Sequence, residues 1–289
     1  MLLSAGLGTR LRPYTLQTPK PAVPFLTVPL AAYSLSHFER LKIDRLVVNT
    51  HHLPQQVEKL FRGLDQPCKE LIFSHEPQIL GSGGGIREAL PHLIGHDSFV
   101  VANADEVILP EHFGMLEEAL AFHRWHKGLA TLIAMQHPQV GTKFGGLWLP
   151  EGSESQVQGF SKTPVAGCRG LHFLGMMILR DEIKNYFQKA TGQEENILYD
   201  TLTSAMQKGQ EVHAFSVDAQ WFETGNPDDL CEATEICLQA MLKSQPPNWA
   251  QGLSQILRRW SQGQYLVEKD RLALLHRLQQ ALPKILAGE

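Results

Sequence analysis

Apolar residues in this chain fall into short continuous runs separated by stretches of helical period. Runs at residues 45–49, 70–74, 98–102 and 129–136 have the length and continuity of strands buried on both faces. Between them, Leu30, Tyr33, Phe38 and Leu41 recur near helical spacing over residues 30–41. Pro54 opens a second helix through Val57, Leu60 and Phe61, and residues 86–93 and 111–127 read as two more. Strand–helix alternation of this kind predicts an α/β fold, a doubly wound, mostly parallel, Rossmann-like sheet. From residue 137 the texture changes. Strands are expected over 144–149, 157–162 and 171–179, and helices over 181–189 and 197–208. A strand over 211–217 runs on toward Trp221. Past a break at Gln245-Pro246-Pro247-Asn248, two amphipathic segments follow: Leu253/Ile256/Leu257/Trp260 and Leu275/Leu278/Leu282/Ile285. Either can pack on the core or form a homo-oligomer contact. The expected organisation is a domain over 1–244, divided at 136/137, with a helical extension over 245–289.

Composition narrows the function classes. At 289 residues, 43% hydrophobic and 19% charged, the chain is an ordinary soluble domain. A net charge of −4 gives no general attraction to nucleic acid or anionic membranes, so any phosphate binding rests on local cations. Cys68, Cys168, Cys231 and Cys237 lie far apart, without a Cys-x-x-Cys pair. That argues against a zinc site or disulfide scaffold and suits the cytoplasm. No apolar run nears the ~20 residues of a membrane span. A signal peptide is not expected, because the first informative motif begins almost at Met1; that abrupt start leaves the first strand very short.

The motif reads Leu2-Leu3-Ser4-Ala5-Gly6-Leu7-Gly8-Thr9-Arg10-Leu11-Arg12-Pro13, with Pro19-Lys20-Pro21 downstream. An apolar run breaking into glycines fits a strand feeding a loop whose backbone N–H groups close on phosphate oxygens. Arg10, Arg12 and Lys20 add positive charge. A dinucleotide fingerprint would need glycine where Leu11 stands, and a P-loop would need Gly-Lys-Ser/Thr. A second segment, Glu76-Pro77-Gln78-Ile79-Leu80-Gly81-Ser82-Gly83-Gly84-Gly85, offers another close backbone approach ahead of a helix, or merely a helix entry with Ser82 near its cap. Asp105 follows the apolar strand at 98–102, where open α/β sheets place ligand-binding groups. His51 and His52 lack a nearby carboxylate or cysteine, so a loop role is expected over a metal site.

The full first string resembles the signature of the sugar-1-phosphate nucleotidylyltransferases, with Ser4 for an alanine and Tyr14 for a leucine. The resemblance covers about residues 1–234 and implies transfer of NMP from an NTP to a phosphorylated acceptor. Ala5, Gly6, Gly8, Thr9 and Arg10 would hold the triphosphate; Glu76, Gly81 and Ser82 fall on positions around the base. Arg10, Lys20 and Asp105 would be catalytic. Asp105 and Glu223 would hold Mg2+ (or Mn2+), Glu223 standing where the family has aspartate in Trp-x-Asp-x-Gly-Thr/Asn-Pro. The β-rich insertion would bind the sugar, with Gly145, Lys162 and Gly175 on acceptor-binding positions. Ser161 replaces the glutamate that meets a sugar hydroxyl in many members, and Ala104 replaces a glycine. A non-sugar acceptor such as phosphocholine with CTP, or a regulatory homologue without catalysis, are the alternatives these departures leave open.

Overall fold

The computed structural model describes residues 1–260. The chain opens with β1 (Leu2–Leu3), two short strands β2 (Pro24–Phe25) and β3 (Val28–Pro29), and α1 (Leu30–Ser36). Next come β4 (Ile43–Thr50), α2 (Pro54–Gly63), β5 (Cys68–His75), α3 (Gly81–Leu93), β6 (Ser98–Asn103), β7 (Val107–Pro110), α4 (Met115–His126) and β8 (Ala130–Met135). The second half carries β9 (Gly146–Pro150), β10 (Gly159–Ser161), the long β11 (Cys168–Arg180) and a π-helical turn, Ile197–Leu202, leading into α5 (Thr203–Gln207). It ends with β12 (Val212–Ser216), β13 (Ala219–Phe222), α6 (Pro227–Leu242) and α7 (Asn248–Trp260).

The central sheet runs β5-β4-β1-β6-β11-β8-β12. It is parallel except for β11, which is antiparallel to both neighbours. Residues 168–171 of β11 pair with β9 and residues 176–180 with β6, so one strand runs through both halves of the chain. Two apolar layers sandwich the sheet. One contains Phe25, Tyr33, Phe61, Ile108 and Trp249; the other contains Ile86, Leu132, Leu179 and Leu202. Leu253 and Trp260 are also buried, so α7 packs on the core. The second tail segment, Leu275 to Ile285, lies outside the described residues. Among those described, no helix is long and apolar enough to cross a membrane, and all four cysteines are free.

Four elements differ from the pattern reading. Helix α1 stops at Ser36, whose hydroxyl donates to the Tyr33 carbonyl, a bond that competes with the helical ladder; turns carry the chain on to Leu41. Helix α3 starts at Gly81 rather than Ile86, because the Gly83 and Gly84 amides both donate to the Glu195 carbonyl. Residues 181–189 form only a short 3-10 turn, Asp181–Asn185; beyond it, the Gln188 and Lys189 amides donate to the Glu195 carboxylate. The strand expected to run through to Trp221 is instead two, β12 in the main sheet and β13 in an antiparallel ribbon with β7. That ribbon matters most for the site. Its register pairs Phe222 with Val107, which brings Glu223 alongside the residues just before β7.

Candidate active site

A cleft of ≈ 400 Å³ opens at the carboxyl ends of the parallel strands. Its lining includes Ala5, Gly6, Gly8, Thr9, Arg10, Lys20, Glu76, Gly81, Ser82 and Asp105. Gly8 takes φ +60°, a left-handed conformation that lets the loop turn into the 3-10 turn Thr9–Leu11. Gly6 would present a Cβ to open space within 4 Å. The loop is braced from below. Thr15 Oγ1 donates to the Gly8 carbonyl at 2.7 Å, and His52 Nε2 donates to the Thr15 carbonyl at 2.6 Å. His51 Nδ1 donates to the Glu76 carbonyl at 2.8 Å, so both histidines serve the loops, as expected.

The second glycine segment is shaped mainly by protein. A Cβ on Gly81, at φ +68°, would stand 2.6 Å from the Glu195 carbonyl oxygen, and one on Gly84 would stand 2.9 Å from that of Gln193. Ser82 does not cap the helix; its hydroxyl accepts from the Ile197 amide at 3.1 Å. The strap over residues 193–197 is held by Arg87, whose Nη1 meets the buried Glu195 carboxylate at 2.7 Å. Glu76 is only 1% exposed. Its two oxygens accept from Asn49 Nδ2 and the Leu80 amide, while burial pushes its carboxyl above the usual range.

Charges of both signs meet where the ribbon adjoins the glycine loop. Lys20 Nζ lies 2.6 Å from Asp105 Oδ2, and Arg10 Nη1 lies 3.6 Å from Glu223 Oε2. Burial alone would lower Lys20, but Asp105, by charge and hydrogen bond, with Glu106 and Glu223, outweighs it and raises the ammonium. Glu223 Oε1 accepts from the Gly225 amide, and a Cβ on Gly225 would run into Glu223 and the Arg10 guanidinium. Burial, then the charge of Asp105, pushes Glu106 up to about 7, against hydrogen bonds from Asn103 and Trp221. Ala104, the substituted glycine, is fully buried and its amide donates to the Leu3 carbonyl, so the methyl fills core space.

Magnesium favours hard oxygen donors and usually takes one or two carboxylates plus substrate phosphates. Asp105 and Glu223, facing Lys20 and Arg10 at one edge of the cleft, fit that donor set. Two carboxylates are the protein share such a shell ordinarily takes, the rest coming from phosphate oxygens and water. Among the described residues no group of three or more His, Cys, Asp or Glu side chains gathers as a metal cluster.

The expected acceptor residues lie outside this cleft. Gly175 sits at the bulge of β11 with φ +71°, where a Cβ would stand 2.6 Å from Asn103 Nδ2. Gly145 faces the Tyr199 hydroxyl, and Lys162 is exposed on the turn after β10. Ser161 Oγ is engaged with Thr163 on its own turn. Two aromatic positions of the resemblance, Phe144 beside Gly145 and Trp221 at the head of the Glu223 string, meet at His172, a contact the sequence did not announce. Trp221 crosses Phe144 at 5.3 Å and 89°, packs against His172 at 4.3 Å with the rings tilted by 55°, and donates to Glu106. A smaller pocket of ≈ 160 Å³ links Phe144 and Trp221 to Glu223 and Lys143. Asn49 and Thr15 were also missed. Asn49 had a signal, a polar residue closing an apolar strand at the sheet's ligand-binding edge.

A family model described as nucleotidyl transferase matches residues 1–240. Among curated proteins, the chain is 28% identical over 257 residues to the UTP–glucose-1-phosphate uridylyltransferase of Synechocystis, covering 84% of this chain and 64% of that protein. It is 27% identical over 254 residues to the mannose-1-phosphate guanyltransferase of Eremothecium gossypii, covering 87% and 68%. The chain therefore spans about two thirds of the length of these relatives. Among solved structures, the UTP-bound UGPase of Acinetobacter baumannii shares the fold with a TM-score of 0.69 at 19% identity, over 89% of this chain and 97% of that one. The inositol-1-phosphate CTP transferase of T. maritima gives 0.67 at 18%, over 81% and 92%. These likenesses establish the expected α/β architecture.

Proposed function

The chain belongs to the nucleotidyl transferase family, and from that premise we propose that it transfers a nucleoside monophosphate from an NTP to a sugar 1-phosphate, forming an NDP-sugar and pyrophosphate. The observation that carries this reading is the Lys20–Asp105 pair, set at 2.6 Å across one cleft from the glycine loop. Backbone and side chains of residues 5–9, with Arg10, receive the triphosphate, and the wall at Glu76, Gly81 and Ser82 flanks the base. Lys20 reaches the two phosphates that meet at the α centre, exchanging its carboxylate partner for phosphate oxygen. An acceptor phosphate oxygen attacks the α-phosphorus in line. The new P–O bond forms as the bond to the β-phosphate breaks, and pyrophosphate leaves with that electron pair. Positioning and charge neutralisation carry such a step. Asp105 and Glu223 would hold Mg2+ (or Mn2+), which supplies neutralisation of phosphate charge when bound.

We assign residues 1–136 to nucleotide binding and residues 137–226, including Gly145, Lys162 and Gly175, to the acceptor. Four free cysteines suit a reducing compartment such as the cytoplasm. The test is pyrophosphate release with each of the four common NTPs against a panel of sugar 1-phosphates, phosphocholine and inositol 1-phosphate, with Mg2+ added or chelated. The reading expects metal-dependent release with at least one sugar 1-phosphate. Release only with a non-sugar acceptor would overturn the acceptor assignment, and no release with any pair would overturn the activity.

A further inference from the structure

Asn49 and Glu76 belong to the lining of the nucleotide cleft, yet each is at most 2% exposed. The parallel register of β4 and β5 makes them neighbours: Asn49 pairs with Ser74, and Glu76 follows β5 by one residue. Asn49 Oδ1 accepts from the Ser4 amide at 2.7 Å. Asn49 Nδ2 donates to Glu76 Oε1 at 2.6 Å, and Glu76 Oε2 accepts from the Leu80 amide at 3.1 Å. The two ends of this chain of bonds are the two segments that line the cleft. Ser4 leads into Ala5 and Gly6, and Leu80 leads into Gly81 and Ser82. Helix α3 leaves room for it at one residue: a Cβ on Gly85 would stand 2.6 Å from Glu76 Oε1 and 2.7 Å from Asn49 Nδ2.

A carboxylate this buried, with each oxygen already accepting from the protein, acts through what it holds. We propose that Asn49 and Glu76 form a positioning relay that fixes the spacing between the phosphate loop and the opposite wall of the cleft, and that Glu76 does not itself read the base. The inference rests on the nucleotide reading given above. Its polarity is definite: a backbone donor at each end, and an amide–carboxylate pair between.

That polarity can be reversed. In Glu76→Gln, one of the two donors facing residue 76 meets an amide N–H, whichever way the new side chain turns. In Asn49→Asp, a carboxylate faces a carboxylate. In the combined variant, the carboxylate at position 49 still accepts from the Ser4 amide. It now also accepts from the side-chain amide at position 76, whose oxygen accepts from Leu80. The relay closes again with the same single buried negative charge. Each single variant is expected to weaken NTP binding by calorimetry on the order of 10- to 100-fold, the scale of a lost charged hydrogen bond, with a smaller effect on acceptor KM. The double variant should recover most of that loss. Hydrogen exchange supplies a readout independent of activity. The Ser4 and Leu80 amides should lose protection together in both single variants and regain it together in the double. A Glu76→Gln change in preference among the four NTPs, unmatched by Asn49→Asp and unrescued in the double, would overturn the relay in favour of direct base reading. So would Leu80 exchange that ignores Asn49→Asp. If neither single variant folds, a folded double with near-wild-type NTP affinity supports the relay, and an unfolded double contradicts it. Failure of the wild type to bind any NTP would sink the functional reading, while the exchange pattern would still decide the relay.

Discussion

On the side proposed for the nucleotide, the glycine loop, the Glu76–Ser82 segment and Asp105 each follow a parallel strand directly, so a few consecutive residues carry both the turn and its chemistry, and Lys20 joins them from the 3-10 turn Lys20–Ala22. On the side proposed for the acceptor, the surface is assembled from residues 143–145 ahead of β9, the bulge of β11, the turn after β10 and the β7–β13 ribbon, segments that lie far apart in the chain. The first side follows the expected pattern almost residue for residue, with Gly6, Gly8, Thr9, Arg10 and Lys20 around one cavity. The second departs from it at Ser161, whose hydroxyl is turned to Thr163, and sets Phe144 and Trp221 together with His172 in one aromatic wall. Chemistry bound to a turn tolerates little change, because the backbone and the ligand contact are the same atoms. Side chains gathered from separate strands can be replaced one at a time.

The sharpest division between the two sides is predicted for Lys20. Lys20→Ala should reduce turnover by about two to three decades, the effect of losing one transition-state charge partner, with an unchanged circular dichroism spectrum. Near-wild-type pyrophosphate release from the folded variant would remove Lys20 from the chemistry.

Much of this was readable in advance for a physical reason. Turn glycines, flanking prolines and apolar strands are local properties, and the strand–helix alternation fixes the edge on which the loops gather. What escaped was non-local. The antiparallel ribbon that delivers Glu223 depends on a register between residues 107 and 222, which no periodicity encodes. The early start of α3 also escaped, because glycine is a poor helix former. Here the Glu195 carbonyl takes the Gly83 and Gly84 amides, and the absent side chains admit the strap. The Asn49–Glu76 relay joins two polar residues that looked unrelated in sequence.

Glu223 stands at the junction of the two sides and should behave like the nucleotide side. Glu223→Gln keeps the shape but removes the charge facing Arg10; it should cost metal-dependent activity about two decades, while Glu223→Asp should retain activity. Steady-state rates across a magnesium and manganese titration read this directly, and full activity in Glu223→Gln would leave Asp105 and the phosphates as the whole metal shell. A smaller effect is expected from Gly81→Val, where the added side chain meets the Glu195 carbonyl. NTP affinity should fall by roughly tenfold, on the scale of ~1–2 kcal/mol of overpacking, with acceptor affinity little changed. Equal affinities by calorimetry would mean that the second glycine segment is only a helix entry.

The smallest predicted effect lies in stability. Burial, then neighbouring His137, lowers His172 to about 4, and burial with Arg180, His213 and Arg124 lowers His123 to about 4. Unfolded histidine titrates near pH 6.5. Between about 6.5 and 4 the unfolded chain therefore binds more protons, so stability falls as pH drops through that window, with no further loss from these groups below it. Both ring nitrogens of His172 are buried without a partner. His172→Phe should accordingly be neutral or stabilising near pH 7, and its denaturation midpoint should fall less than that of the wild type between pH 7 and 5. An unchanged pH slope would show that His172 is not held neutral by its surroundings.

The central claim is that this cleft moves the α-phosphoryl group of an NTP onto another phosphate, and label transfer tests it most directly. The protein is incubated with each NTP labelled at the α-phosphorus, magnesium and a sugar 1-phosphate, and the products are then treated with alkaline phosphatase. The account predicts that label appears in a phosphatase-resistant NDP-sugar, only when the acceptor is present and not with Lys20→Ala. Label that stays in the NTP, or passes to free NMP regardless of acceptor, would contradict it.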